Sequence, residues 1–508
     1  MGGGGIHGAA VARDAAGRGL SVLLCERDDL ASATSSASSK LIHGGLRYLE
    51  HGGFRLVREA LAEREVLMRT APHLVQPLRF VLPRAPGLRP DWMVRTGLFL
   101  YDRMGGPISL PRSKAQALRG TPYGAPLRPE YERAYVYSDC RADDSRLTLA
   151  HALAAAELGA QIETRTEVVA AERADGGWRV TLERRPPVAA AASPSRGSRV
   201  VRARMLVNAA GPWVEQVLRS VARRPPRTPL RLVKGSHIVL PRLYPGAHAY
   251  LLQQPDRRVV FVIPYEQEFT LVGTTEIVLA EPGPVSISSD EIVYLCAAAG
   301  RYLAAPVQPE LVVWSFAGTR ALVGGDEGRS ASALSREAVL DVETGEDGAA
   351  PLLSLYGGKL TTSRALAERA VERLREFHPS MGPAWTADRP LPGGELPAAD
   401  GGGSAARLAA LIEELRRAHP ELHGDLLAAL ARRHGSRVHE LLAGARVQGD
   451  LGRWFGGDLF ERELEWMASR EWALTAEDVL WRRSKAGLRL SAEQRRAVER
   501  WMAGRAGA

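Results

Sequence analysis

Cysteine is scarce in this 508-residue chain: there are three, Cys25, Cys140 and Cys296. They lie far apart, which excludes a disulfide framework and a cysteine metal cluster. No metal site is expected, and a reducing cytoplasm is the default compartment. Long apolar runs are missing too: no stretch reaches the roughly 18 residues that a spanning helix needs. The first residues show no basic segment followed by an apolar core, so no secretory leader is expected. Acidic residues fall short of basic ones, 58 against 67, for a net charge of +9. That balance favours anionic partners, whether a phosphorylated substrate, acidic lipid or nucleic acid. Arg rather than Lys carries most of it, so part of the excess fits a GC-rich genome. No internal repeat is present. Nor is there the composition of a disordered chain: 45% of residues are apolar and 25% charged. The length suits two or three domains.

The chain opens MGGGGIHGAA. Gly3, Gly5 and Gly8 fit G-x-G-x-x-G. In that pattern Gly3 allows the tight turn, Gly5 lets the backbone approach a pyrophosphate, and Gly8 lets the helix pack closely on the sheet. The helix N-terminus then offers free N–H groups and a positive dipole end to phosphates. Residues 6 to 19 read as an Ala-rich helix, and LSVLLCE (residues 20 to 26) as a strand buried on both faces. Glu26 ends that strand 18 residues past Gly8, near the spacing at which a carboxylate takes a ribose hydroxyl. Turn, helix and strand form a βαβ unit whose first strand should precede Gly3. A misassigned start codon is the expected reason, with an upstream extension of about 6 to 20 residues carrying that strand. A truncated pseudogene product is the competing reading.

Further on, FRLVREALAEREVLMRTAPH (residues 54 to 73) has helical periodicity. GWRVTLERR and RVVRARMLVNAAGPW read as strands around a hairpin tip, PPVAAAASPSRGS. GSHIVLP, RRVVFVIPYE and FTLVGTTE alternate, which suggests an antiparallel sheet. A Gly-rich linker falls near residues 397 to 406, and the chain beyond it is nearly all helical.

At ATSSASSKLIHGGLRYLEHGGFRLVREALAERE (residues 33 to 65) the sequence resembles the FAD-dependent glycerol-3-phosphate dehydrogenases, respiratory enzymes that feed the quinone pool. The resemblance continues through YSDCRADDSRL, LVNAAGPWV, LVKGSHIVLPR, VGTTE, FAGTRAL, SLYGGKLTTSRALAE and LWRRSKAGL, and covers essentially the whole chain. Departures are Glu276 where the family usually has Asp, Ser363 where Tyr is common, and Ala321 where Pro is common. The resemblance implies an α/β fold: a Rossmann-like FAD-binding domain, an antiparallel substrate sheet of the D-amino-acid-oxidase type, and a C-terminal all-helical domain. The FAD-binding parts fall at about 1–75, 140–212 and 335–380, the substrate parts at about 76–139 and 213–334, and the helical domain at 381–508.

The implied reaction oxidises the C2 hydroxyl of sn-glycerol 3-phosphate to dihydroxyacetone phosphate, with FAD as cofactor and a membrane quinone as acceptor. A relative that uses oxygen, a glycerophosphate oxidase, is the near alternative. The resemblance assigns Thr34, Ser35 and Ser36 to cofactor contact. It sets Gly357 and Gly358 before a helix whose first turn includes Thr361 and Thr362, where a helix N-terminus would offset charge on reduced flavin. Arg47, Arg320, Arg336 and Lys359 would hold the substrate phosphate, with Tyr48 beside Arg47. His237 is the candidate general base, since imidazole titrates near neutral pH; Arg320 and Lys359 complete the catalytic set, and His43 is a second candidate base. Arg482, Arg483, Lys485, Arg489, Arg495, Arg496, Arg500 and Arg505 crowd the C-terminus with Trp481 and Trp501 among them. Basic residues with aromatics suit an anionic membrane surface, so peripheral attachment to the inner face of the cell membrane is expected. No nucleic-acid motif is present, and a homodimer is compatible with the resemblance.

Overall fold

The computed structural model describes residues 1–85, 88–185, 197–324, 337–345, 348–399 and 402–506. Most of the expected hairpin tip, and Arg336, lie outside them.

The opening turn sits at the centre of a parallel sheet. Strand Leu23–Cys25 pairs in parallel with Gln161–Glu163, and Leu206–Asn208 with Leu352–Tyr356, which also carries the antiparallel edge strand Val339–Glu343. Extended backbone at Met1–Gly3 joins the two groups. Gly2 bridges Cys25 on one side and Asn208 on the other, both in parallel, and the Gly3 N–H donates to the Cys25 carbonyl at 2.9 Å. The helix Ile6–Gly17 packs on this layer between two others, Asp144–Glu157 and Ser363–Glu372. Its alanines allow both contacts. Ala9, Ala12 and Ala16 meet Leu149 and Ala152 on one side, while Ala10, Val11 and Ala15 meet Leu366, Ala367 and Ala370 on the other. Small side chains all round are what a helix with helical neighbours on both flanks requires.

The second layer is a ten-stranded sheet. Its strands alternate without interruption. Val81, Val136, Ile238, Tyr250 and Val262 face one core, closed by helix Ser289–Gly300; Phe80, Tyr137, Val239, Leu251 and Phe261 face a second, closed by helices Phe54–Thr70 and Asp91–Met104. A sheet apolar on both faces must be covered on both. Most pairs are antiparallel as expected, but Ala249–Gln253 runs parallel to Val75–Pro83. The fold is therefore the α/β arrangement with Rossmann-like and mixed-sheet layers, followed by C-terminal helices that include a two-stranded hairpin, Trp454–Gly456 with Leu459–Phe460. No helix among the described residues is long and apolar enough to cross a membrane.

The C-terminal basic run departs from its expected role. Arg482 and Arg483 are buried and converge on Asp29: Arg482 Nε and Arg483 Nη1 each reach Oδ2 at 2.6 Å. Arg482 also pairs with Asp478, and Lys485, buried, donates to Ser145 Oγ at 2.6 Å. Arg489 meets Glu268 at 2.8 Å. Trp481 stacks on Trp314 with centroids 4.6 Å apart, and Trp501 donates to Glu461 at 2.8 Å. These groups hold the helical part against the rest of the chain and do not form a free basic face. Only Arg496, Arg500 and Arg505 of that run stay exposed. The local charge count missed this because the main counter-charge, Asp29, lies more than 450 residues away.

Replacing Asp29 by Asn should leave the buried Arg483 guanidinium without its carboxylate and Arg482 with Asp478 as its remaining buried partner. The expected loss is about 3–5 kcal/mol in a denaturant melt, with faster proteolysis between residues 390 and 405; an unchanged melt would deny the pair its docking role.

Candidate functional site

The two glycine motifs, more than 300 residues apart in sequence, meet at one cleft. At the first, Gly3 has a φ of +112°, and a Cβ there would lie 2.5 Å from the Ala209 carbonyl oxygen. A Cβ on Gly8 would sit on the Gly3 carbonyl oxygen itself. Both positions admit glycine alone, which brings the helix against the turn. Gly5 is the N-cap and offers no side chain, so the helix start stays open apart from the Ile6 N–H, which donates to Ser35 Oγ at 2.9 Å. Glu26 Oε2 accepts from the Gly4 N–H at 2.6 Å and Oε1 from the Asp28 N–H at 2.8 Å. The main chain thus fixes the carboxylate at the cleft wall, while burial pushes its pKa up. A turn with no room for a Cβ, an open helix N-terminus and a held carboxylate fit a dinucleotide.

At the second motif Gly357 and Gly358 have φ of +69° and +90°. A Cβ on Gly358 would meet the His7 ring at 2.6 Å, and His7 Nε2 lies 3.4 Å from the Lys359 carbonyl oxygen. Thr361 Oγ1 accepts from the His43 N–H at 3.3 Å. The helix begins at Ser363, so Thr362 is its N-cap and Thr361 precedes it. Thr34 donates to the Thr319 carbonyl at 2.7 Å, which ties the Ser/Thr loop to the large sheet.

The large sheet supplies the charged end. Strand Leu230–Pro241 carries His237, and its partner strand Trp314–Val323 carries Arg320. Arg320 Nη2 donates to Thr274 Oγ1 at 2.7 Å, and Nη1 stands 3.6 Å from Glu276. The Lys359 ammonium lies 3.7 Å from the centroid of the Tyr48 ring. Arg47 and Tyr48 follow Gly45, whose φ of +81° lets the Tyr48 ring fold back over it. His237 is only 2% exposed and stacks on Phe316 with centroids 4.9 Å apart. Its Nε2 lies 2.9 Å from Ser39 Oγ, and Nδ1 is buried without a hydrogen-bond partner. Burial, then the charges of Arg320 and Lys40, hold its pKa well below the usual imidazole value. The ring is therefore biased toward its neutral form, with Nδ1 unpartnered.

Fourteen of the candidate site residues from the sequence line this one cleft: Gly3, Gly5, Glu26, Thr34, Ser35, His43, Arg47, Tyr48, His237, Arg320, Gly357, Gly358, Lys359 and Thr361. Gly8, Ser36 and Thr362 do not. Gly8 packs beneath the turn, and Ser36 donates to the Ala33 carbonyl at 3.3 Å. His7, Ser39 and Thr274 were not anticipated. Ser39 and Thr274 stand inside quoted motifs, SSASSK and VGTTE, but their partners are set by tertiary contact. Among the described residues no His, Cys, Asp and Glu group could hold a metal.

Residues 3–373 match the family described as FAD dependent oxidoreductase, and residues 384–504 the C-terminal domain of alpha-glycerophosphate oxidase. A glycerol-3-phosphate dehydrogenase of Pseudomonas aeruginosa is 49% identical over 97% of this chain and 92% of its own. A D-erythritol 1-phosphate dehydrogenase of Brucella abortus is 47% identical over 98% of this chain and 96% of its own. The crystal structure of a Bacillus halodurans glycerol-3-phosphate dehydrogenase complexed with FAD superposes with a TM-score of 0.75 at 27% identity, over 99% of this chain and 89% of that one.

Gly8→Ala forces the helix away from the turn. The purified variant should lose most of its bound flavin, measured as visible absorbance per protein; full flavin content would show that the turn can open without cost.

Proposed function

The chain belongs to the FAD-dependent glycerol-3-phosphate dehydrogenase family, and we propose that it oxidises the secondary hydroxyl of sn-glycerol 3-phosphate to the ketone of dihydroxyacetone phosphate and delivers the electrons to a membrane quinone. The observation that carries this reading is the meeting of a dinucleotide turn with a cationic, imidazole-bearing wall in one cleft. When bound, FAD supplies the hydride acceptor. Gly3, Gly5 and Glu26 would hold its pyrophosphate and ribose, and Gly357–Thr361 its redox end. Arg320, Arg47 and Lys359 would take the substrate phosphate, with Arg320 kept in place by Thr274. His237 would accept the C2 hydroxyl proton at Nδ1, the nitrogen without a protein partner, while Ser39 holds Nε2. D-erythritol 1-phosphate is the second substrate reading, supported by the 47% identical relative; kcat/KM on the two phosphates separates them. Comparing quinone reduction with peroxide formation tests the acceptor.

Attachment to the membrane's inner face, if carried by this chain, needs a surface other than the C-terminal basic run. Helix Asp91–Met104 offers one. Trp92 is 68% and Phe99 53% exposed, Arg95 lies between them, and the Arg103 guanidinium covers the Phe99 ring at 3.6 Å. Exposed aromatics interleaved with arginines suit an anionic interface.

Arg320→Ala should lower kcat/KM on the phosphate substrate by about 1.5–3 kcal/mol, the range for a charge-assisted hydrogen bond, with flavin content unchanged. An equal proportional loss on glycerol would remove Arg320 from phosphate binding. Because His237 is held neutral, kcat/KM should stay level as pH falls through about 6.5, the ordinary imidazole value, and its acid limb should lie below it; a limb centred at that value would exclude His237 as the base. Trp92→Ser with Phe99→Ser should cut co-sedimentation with anionic vesicles while activity with a soluble dye persists; undiminished binding would rule out this helix.

A further inference from the structure

His7 occupies a position that the pattern G-x-G-x-x-G leaves open, yet its side chain joins the two glycine motifs. It stands in the first turn of the helix Ile6–Gly17, half-buried, on the wall of the flavin cleft. We propose that His7 is a cofactor-binding residue: its Nδ1 accepts a hydrogen bond from a hydroxyl of the FAD ribityl chain, the linker that runs from one motif to the other. The proposal rests on the FAD dependence of the family and not on the substrate or acceptor assigned above.

Three observations carry it. First, the ring fills the seam between the motifs. Gly358, at a φ of +90°, leaves room for it: a Cβ there would lie 2.6 Å from His7 Cε1 and 2.9 Å from Nε2. On the other side, His7 follows Ile6, whose N–H is fixed on Ser35 Oγ at 2.9 Å. A cofactor with its pyrophosphate at Gly3 and Gly5 and its redox end at Gly357–Thr361 therefore passes the imidazole with its linker. Second, the protein sets the tautomer. Nε2 lies 3.4 Å from the Lys359 carbonyl oxygen, which can only accept, so Nε2 carries the proton and Nδ1 the lone pair. Burial, opposed by that carbonyl, lowers the pKa from the usual imidazole value and favours this neutral form. Third, Nδ1 has no hydrogen-bond partner among the described residues, and in contrast to Nδ1 of His237 it is not sealed from the surface.

The chemistry of FAD selects the hydroxyls. Pyrophosphate oxygens only accept, so a lone pair facing them would repel. Ribityl hydroxyls can donate to it. Nearby hydroxyls of the protein are already engaged: Ser35 Oγ accepts from Ile6, and Thr34 donates to the Thr319 carbonyl at 2.7 Å. An imidazole so placed fixes the linker, and with it the position of the reacting ring relative to the anchored phosphates. A His7 that served only as a brace between the helix and the Lys359 carbonyl would support both motifs but would not distinguish one linker from another.

Titration of the full-length apoprotein with flavin, followed by flavin fluorescence, tests this. The probes are FAD and FAD analogues that each lack one ribityl hydroxyl. Wild-type protein should bind one of these analogues about tenfold more weakly than FAD, the scale of a single hydrogen bond. His7→Ala should weaken FAD by about the same factor and should bind that analogue and FAD alike, because the partner of the hydroxyl is gone. His7→Asn, whose amide can donate to the Lys359 carbonyl and accept at Oδ1, should keep part of the discrimination. Should His7→Ala fail to fold, the comparison of wild type with His7→Asn decides. Two results would overturn the assignment: wild-type protein that binds every analogue as tightly as FAD, or a His7 variant that discriminates among them as fully as wild type does. The second, with a uniform loss of affinity for all of them, would leave His7 as a brace alone.

Discussion

The buried carboxylate of Asp29 is the point on which the architecture turns. It follows Glu26 by three residues, in the loop that leads to Thr34 and Ser35, and it is held by two arginines from the far end of the chain. The C-terminal helices therefore steady the loop that would hold the cofactor's ribose. The same logic recurs nearby. Asp144, at the start of its helix, accepts from Ser38 N–H and Oγ on one oxygen and from Lys40 Nζ on the other. Lys485 reaches Ser145 on the next residue. Buried ion pairs add little net stability over apolar packing, but losing one partner is costly, so they fix which segments dock where.

Apart from the arginines left exposed, two uses of arginine shape the structure. Arg64 with Asp139, Arg146 with Glu471, and Arg364 with Glu63 are buried structural pairs. Tyr101 joins the first of them, donating to Asp139 while its oxygen accepts from the Gly44 N–H at 2.8 Å. That network sets the backbone of the loop bearing His43, Arg47 and Tyr48. The cations of the flavin cleft are the second use, and they depend on the first for their position.

Sequence made the periodic parts legible. The Ala-rich first helix, the alternating strands of the large sheet and the glycine turns all declare themselves locally, because each is a pattern within a dozen residues. The motifs from KLIHGGLRYLE to GGKLTT then gather at one cleft. What stayed hidden was pairing over long separations: Arg483 with Asp29, Ser39 with His237, and Gly2 between Cys25 and Asn208. The burial of the basic C-terminus is hidden for the same reason. A run of like charge looks solvated until its counter-charges, hundreds of residues away, are in view. The parallel pairing of Ala249–Gln253 with Val75–Pro83 was equally invisible, since alternation specifies faces but not strand direction.

His237 shows how these levels combine. Its ring is pressed between Gly273, where a Cβ would strike it, and the Phe316 face. That packing removes water, and the Arg320 and Lys40 charges add to the cost of protonation. Lys40 cannot withdraw, because Asp144 and the Ser36 carbonyl hold its ammonium and it lies 4.8 Å from the centroid of the same Phe316 ring. With the cleft empty of anions the imidazole is thus a weak base. A phosphate on Arg320 would cancel the larger of the two repelling charges and raise the basicity of the ring. On the proposed reading, the group that recognises the substrate also prepares the base, so a molecule without a phosphate would meet an imidazole less able to take its proton.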